Sequence, residues 1–149
     1  MSYLAFSNSG TGTPLDDYIA MKDPAYGYTI AETVIHADYS CYSVKMTSQR
    51  WRSPAEVNHT VWQHWLTIIK PKTLSSDKAL LWINGGSNTS DMPKPNEMLV
   101  QIAQATNTVC VDLAMVPNQA LVFTDDGTER SEDAIIAYSF DKYMRTGDP

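Results

Sequence analysis

Two stretches near the start of the chain read as paired strands. Tyr28 to His36 is dense in Tyr, Thr, Ile and Val. Tyr39 to Thr47 alternates, with Tyr39, Cys41, Ser43 and Lys45 on one face and Ser40, Tyr42, Val44 and Met46 on the other. Ala37-Asp38 between them is short enough for a tight turn, so the pattern predicts a β-hairpin. Val61 to Ile69 predicts a third strand, and the polar stretch from Lys70 to Asp77 ends it. Lys78 to Asn84 then runs almost continuously apolar into Gly85-Gly86-Ser87-Asn88. Such a run predicts a central strand buried on both faces under helices. A helix of about ten residues follows Pro93, Pro95 and Asn96 and ends near Thr106, with Met98, Leu99, Ile102, Ala103 and Ala105 as its apolar stripe. Thr108 to Leu113 is a further buried strand. Strand, glycine turn, helix, strand is the βαβ unit of a parallel sheet. An antiparallel set leading into a parallel pair predicts an α/β fold with a mixed sheet and flanking helices.

The remaining segments punctuate this pattern. Thr13 followed by Pro14, Asp16 and Asp17 predicts a short helix with Thr13 as its N-cap, and Asp23-Pro24 and Gly27 break the chain after it. Pro54 predicts a loop over Ser48 to Asn58, with a helical turn from Ser53. Ala114 to Gly127 predicts a second loop. A last helix is predicted from Ser131 to Arg145, with Ile136, Ala137, Phe140, Tyr143 and Met144 on its apolar face. Acids lie at its start, Lys142 and Arg145 near its end, and Gly147 at the C′ position. Residues 1–13 read as a flexible lead and 14–149 as one domain, as a length of 149 residues predicts.

Charge removes several function classes. The net charge is −6, and the 11 Lys and Arg residues are scattered, with only Arg50 and Arg52 close together. A nucleic-acid binder needs a basic stripe to displace phosphate counterions, and an anionic membrane needs the same; neither partner is expected. No apolar run reaches the ~18 residues of a membrane span. Met1 to Thr13 has neither a basic n-region nor an apolar h-region, so it does not read as a signal peptide, and a cytoplasmic setting is expected. Cys41 and Cys110 both lie in strand-like contexts and read as buried thiols, with a bond between them left open.

Candidate chemistry is sparse. Glycines after a strand let backbone N–H groups approach an anion, and Gly85, Gly86, Ser87 and Asn88 are candidates for that role. The plainer reading is a connection that needs a positive φ. No G-x-S-x-G elbow, phosphate loop or dinucleotide loop is present, and no catalytic residue is assigned. If a serine did act, Ser87 or Ser131 would need His59 or His64 as base. His64 on the strand with Trp62 reads first as a core or interface histidine. No Cys/His cluster has zinc spacing, and Asp125-Asp126-Gly127 with Glu129 and Glu132 lacks the alternating ligands of a calcium loop; neither a metal nor a cofactor is expected. Trp82 reads as core. Trp51 between Arg50 and Arg52 is the candidate exposed contact, giving Arg50, Trp51 and Arg52 as candidates for holding an acidic small molecule or peptide.

Several segments together resemble the PhoPQ-activated pathogenicity-related proteins. They are Leu15-Asp16-Asp17-Tyr18, Asp23-Pro24-Ala25-Tyr26, the run from Met46 to Val57, Trp65-Leu66-Thr67-Ile68, Gly85-Gly86-Ser87-Asn88, Val116-Pro117-Asn118-Gln119 and Arg130 to Tyr138. The resemblance runs from about Thr13 to Asp148. It implies a fold resembling the N-terminal third of a longer, usually exported α/β-hydrolase-like protein, without the part that holds a nucleophile elbow, acid and histidine base. It further implies an open sheet whose last parallel strand lacks a neighbour. Such a sheet is expected to dimerise with a second copy through its edge or its uncovered face.

Overall fold

In a computed structural model, residues 13–147 are described; of the expected lead over residues 1–13, residues 1–12 lie outside them. Helix α1 (Pro14–Ala20) opens the described chain. Thr13 caps it as predicted: its hydroxyl accepts from the Asp16 N–H, and the Asp16 carboxylate accepts from the Thr13 N–H in return.

Strands β1 (Gly27–Ile35) and β2 (Tyr39–Arg50) form the predicted hairpin. His36 N–H donates to the Tyr39 carbonyl at 2.9 Å, and the two rings stack 4.3 Å apart across the turn. Strand β2 runs three residues beyond its predicted end, to Arg50, because β3 (Val61–Pro71) is long enough to pair with it throughout. The register slips once, between Thr47 and Gln49, leaving Ser48 as the extra residue of a β-bulge.

Strand β4 (Ala79–Ile83), helix α2 (Glu97–Thr106) and strand β5 (Val109–Leu113) form the predicted βαβ unit, with β4 and β5 parallel. The sheet order is β1-β2-β3-β5-β4, mixed as expected, with one parallel pair. The position of β4 corrects the reading of Lys78–Asn84 as a central strand. Strand β5 inserts between β3 and β4, so β4 is the edge, and it is the earlier strand of the parallel pair that lacks a neighbour. Every residue of β4 is exposed, Leu81 at 53% and Ile83 at 61%, and Trp82 is likewise on the surface rather than in the core. An apolar run reports a strand built to be covered; it does not report where in the sheet the strand falls.

Helix α2 is held by Asn96, whose side chain accepts from the Met98 N–H, and stops at Asn107 in the left-handed region with φ 51°. It packs on β3 and β5. Leu99 and Ala103 meet Cys41, Ile69 and Cys110 there, all buried. Burying Leu99 or Ile69 removes a whole aliphatic side chain from water, about 1.5–3 kcal/mol each. The opposite face has half-buried Leu66, Ile68, Val111 and Leu113 in register with exposed Leu81 and Ile83.

A second cluster lies beside the sheet. The loop after β5 contains a short pairing that the sequence reading missed, β6 (Leu121–Val122) with β7 (Glu129–Arg130). Val57, Leu121, Phe123 and Ile135 pack there against Trp51, Trp62 and Tyr138. Helix α3 (Asp133–Thr146) joins this cluster through Ile135. Its predicted apolar face is not its buried face: Ile136, Phe140, Tyr143 and Met144 are all exposed. Among the described residues no helix is long and apolar enough to cross a membrane.

Candidate functional site

The glycine turn follows β4 at the carboxyl end of the parallel pair, the end at which open α/β sheets bind ligands. Asn84 N–H donates to the Leu113 carbonyl at 2.8 Å, and Met115 N–H donates to the Gly85 carbonyl at 2.9 Å. Gly86 has φ +133°, a conformation that requires glycine. The neighbouring N–H groups are engaged within the chain: Gly85 donates to Asn84 Oδ1, Ser87 to Ser90 Oγ, Thr89 to Ser87 Oγ, and Asn88 to the Gln119 carbonyl. The Asn88 side chain donates to the Ala120 carbonyl at 3.1 Å. The turn is thus clipped to the 114–120 loop at several points.

Next to this turn lies buried Asp112. Its Oδ1 has no hydrogen-bond partner. Burial pushes its carboxyl above the usual carboxylate range, and a hydrogen bond from Asn84 acts in the opposite direction.

The structure separates Arg50, Trp51 and Arg52. Arg50 is exposed and lines a cavity. Trp51 is half-buried, 5.4 Å from the Trp62 ring and 6.2 Å from Phe123, so it belongs to the second cluster instead of standing out as an exposed contact. Arg52, with φ 61°, lies over the Trp51 ring and 3.6 Å from Glu56.

Ser87 and Ser131 hydrogen-bond to neither His59 nor His64, and His64 is buried, as its place on the strand with Trp62 suggested. The Ser87 hydroxyl pairs with Thr89 at 2.9 Å. The Ser131 carbonyl accepts from Ala134 N–H at the start of α3. His59 Nε2 lies 3.0 Å from Oδ1 of fully buried Asn118, whose amide donates to the Gln63 carbonyl. That network ties the loop after β5 to β3.

His64 is 5% exposed, and its Nε2 lies 2.9 Å from the Ser48 hydroxyl. Its Nδ1 lies 3.3 Å from the Ala114 carbonyl, which accepts only from an N–H and so sets the tautomer. Burial lowers the imidazole pKa below its ordinary value, while the carbonyls of Ala114 and Met115 act to raise it. Ser48 was not singled out in the sequence. The register break that turns it toward His64 arises from pairing with β3, which no local pattern records.

A cavity of about 490 Å³ lies between β2 and the end of α1 with the segment after it. Ser48 lines it with Tyr18, Lys22, Asp23, Gln49 and Arg50. Asp23 accepts from the N–H groups of Arg50 and Ala25, which hold its carboxyl below the usual range. Among the described residues no cluster of His, Cys, Asp and Glu is arranged to hold a metal ion.

No solved structure matches the chain. Autocrine proliferation repressor protein A of Dictyostelium discoideum is 31% identical over 140 residues, a match covering 92% of this chain and 28% of that protein. The chain therefore spans less than a third of the curated relative it matches. The profile of the family described as PhoPQ-activated pathogenicity-related protein matches residues 15–149. With nine-tenths of its residues inside that match, the chain belongs to the PhoPQ-activated pathogenicity-related protein family.

Proposed function

We propose that this chain acts as an assembly module, an α/β-hydrolase-like sheet that binds a second copy of itself and lacks the nucleophile elbow of a complete α/β-hydrolase. The observation that carries this reading is the state of β4. It is an edge strand with Leu80, Leu81, Trp82 and Ile83 between 38% and 61% exposed. An exposed apolar edge is a template for another strand, and soluble proteins cover or blunt such edges. Two-fold pairing would join β4 of one copy antiparallel to β4 of the other. Light scattering coupled to size exclusion tests this, since a monomer at micromolar concentration removes the reading.

A second reading is a hydrolase completed across subunits or by further chain. The glycine turn at the carboxyl ends of β4 and β5 favours it, as does a relative more than three times as long. Fluorophosphonate labelling abolished by Ser87→Ala or Ser131→Ala would support it; labelling that survives both substitutions would count against it. For either reading, an acidic small molecule or peptide is the proposed ligand, drawn to Lys22 and Arg50 at the cavity. A rise in melting temperature with anionic ligands tests that, because a ligand of the native state stabilises by mass action.

A further inference from the structure

We propose that Ser48 is a nucleophile activated by His64, acting on a small ester whose acyl part carries a negative charge. The first support is the bulge. Ser48 has no register partner on β3, and β1 begins at Gly27, opposite Thr47, so Ser48 lies outside the ladder on both sides. Bulges re-aim side chains and are over-represented beside active sites. Here the bulge places the hydroxyl 2.9 Å from His64 Nε2, with its other contact, the Trp62 carbonyl, longer at 3.4 Å.

The second support is the orientation of the base. With Nδ1–H donated to the Ala114 carbonyl, the lone pair is on Nε2, facing the hydroxyl. This is the geometry of a serine paired with an oriented general base, a carbonyl standing where a carboxylate often stands. The third support is access, because Ser48 opens on the 490 Å³ cavity. Two cations, Lys22 and Arg50, line it against one anion, Asp23, and the Asp23 carboxylate is occupied by backbone N–H groups. The remaining positive charge selects an anionic acyl group.

In the reaction, Ser48 Oγ adds to the ester carbonyl carbon and its proton passes to His64 Nε2. The bond from that carbon to the alcohol oxygen breaks, and the alcohol leaves with the proton from the imidazolium. Water then adds to the acyl-serine by the same route, releasing the acid and restoring Ser48. The Ala114 carbonyl holds the imidazolium through Nδ1–H while it exists.

The test is labelling of the full chain with a fluorophosphonate probe, with the site mapped by peptide mass. The expected adduct is on Ser48. It is lost in Ser48→Ala, unchanged in Ser87→Ala, and formed about 100-fold more slowly or worse in His64→Gln, the scale of a general base. A succinyl ester should acylate faster than the matching butyryl ester, with that preference reduced in Arg50→Gln. Circular dichroism checks that each variant folds. Should His64→Gln not fold, the wild-type pH profile decides: the labelling rate should hold through the ordinary imidazole range and fall only at lower pH, because burial keeps the His64 pKa below its usual value. Labelling absent from Ser48, or a rate that follows hydroxide with no inflection, overturns the proposal.

Discussion

Leu99→Ala should be the most damaging single truncation in α2. Leu99 is fully buried and sits between the helix and Cys41, Ile69 and Cys110 on the sheet. Helix α2 is the element that covers this face, so little around Leu99 can collapse into the space it leaves. Leu→Ala at such a site costs about 2–5 kcal/mol, and the rigid strands on one side place this case in the upper half of that range. Met98, one residue earlier and 44% exposed, provides the internal comparison; truncating it should cost about 0.5 kcal/mol or less. The assay is urea unfolding followed by tryptophan fluorescence and circular dichroism at one fixed protein concentration, because self-association makes apparent stability concentration-dependent. The midpoint should fall with the slope unchanged, and the melting temperature should drop by roughly 3 °C per kcal/mol. A loss below about 1 kcal/mol for Leu99→Ala, or equal losses for the two variants, would refute the packing of α2 described above.

Other outcomes follow from the buried polar groups and thiols. Asn118→Ala should cost about 2–4 kcal/mol in the same unfolding assay, since it strands His59 and the Gln63 backbone without their buried partner. His64 is held neutral by burial, whereas the unfolded chain takes up a proton near pH 6.5. The unfolded state then binds more protons, so stability from this group is present above about 6.5 and is lost as pH falls below it. The urea midpoint should therefore drop between pH 7 and 5, and by less in His64→Gln. The lowered carboxyls of Asp16, Asp23, Glu56 and Asp125 add a further loss only below about 4.5, their unfolded range. Cys41 and Cys110 are buried free thiols with raised pKa values, separated in the sheet by β3. Ellman's reagent should modify neither in the native protein and both in urea.

What the sequence made legible was local. The β1–β2 hairpin, the Thr13 cap and the limits of α2 depend on turn residues, capping side chains and short periodicities, all of which lie within a few positions of one another. The thiol burial at Cys41 and Cys110 also followed from their strand contexts. What stayed hidden depends on pairing between distant segments. Apolarity marks β4 as a strand that wants cover, but the insertion of β5 between β3 and β4 is a property of the whole sheet. The same holds for α3: its Ile136, Phe140, Tyr143 and Met144 stripe is an apolar helix face, yet the helix docks through Ile135 into a cluster built by the Val57 and Phe123 loops. Ser48 is polar, opens a predicted loop and matches no motif. Only the slipped register against β3 brings it to His64 while leaving it open to the cavity.

Assembly through the β4 edge is tested most directly by the molar mass in solution. Light scattering should give about 33 kDa for the wild-type protein at micromolar concentration, twice the 16.6 kDa chain. Leu81→Lys with Ile83→Lys, which puts charge on the exposed side of that edge, should return the mass to that of one chain with the circular dichroism spectrum unchanged. A wild-type protein that stays at the single-chain mass, or a dimer that survives both lysines, would contradict assembly through β4.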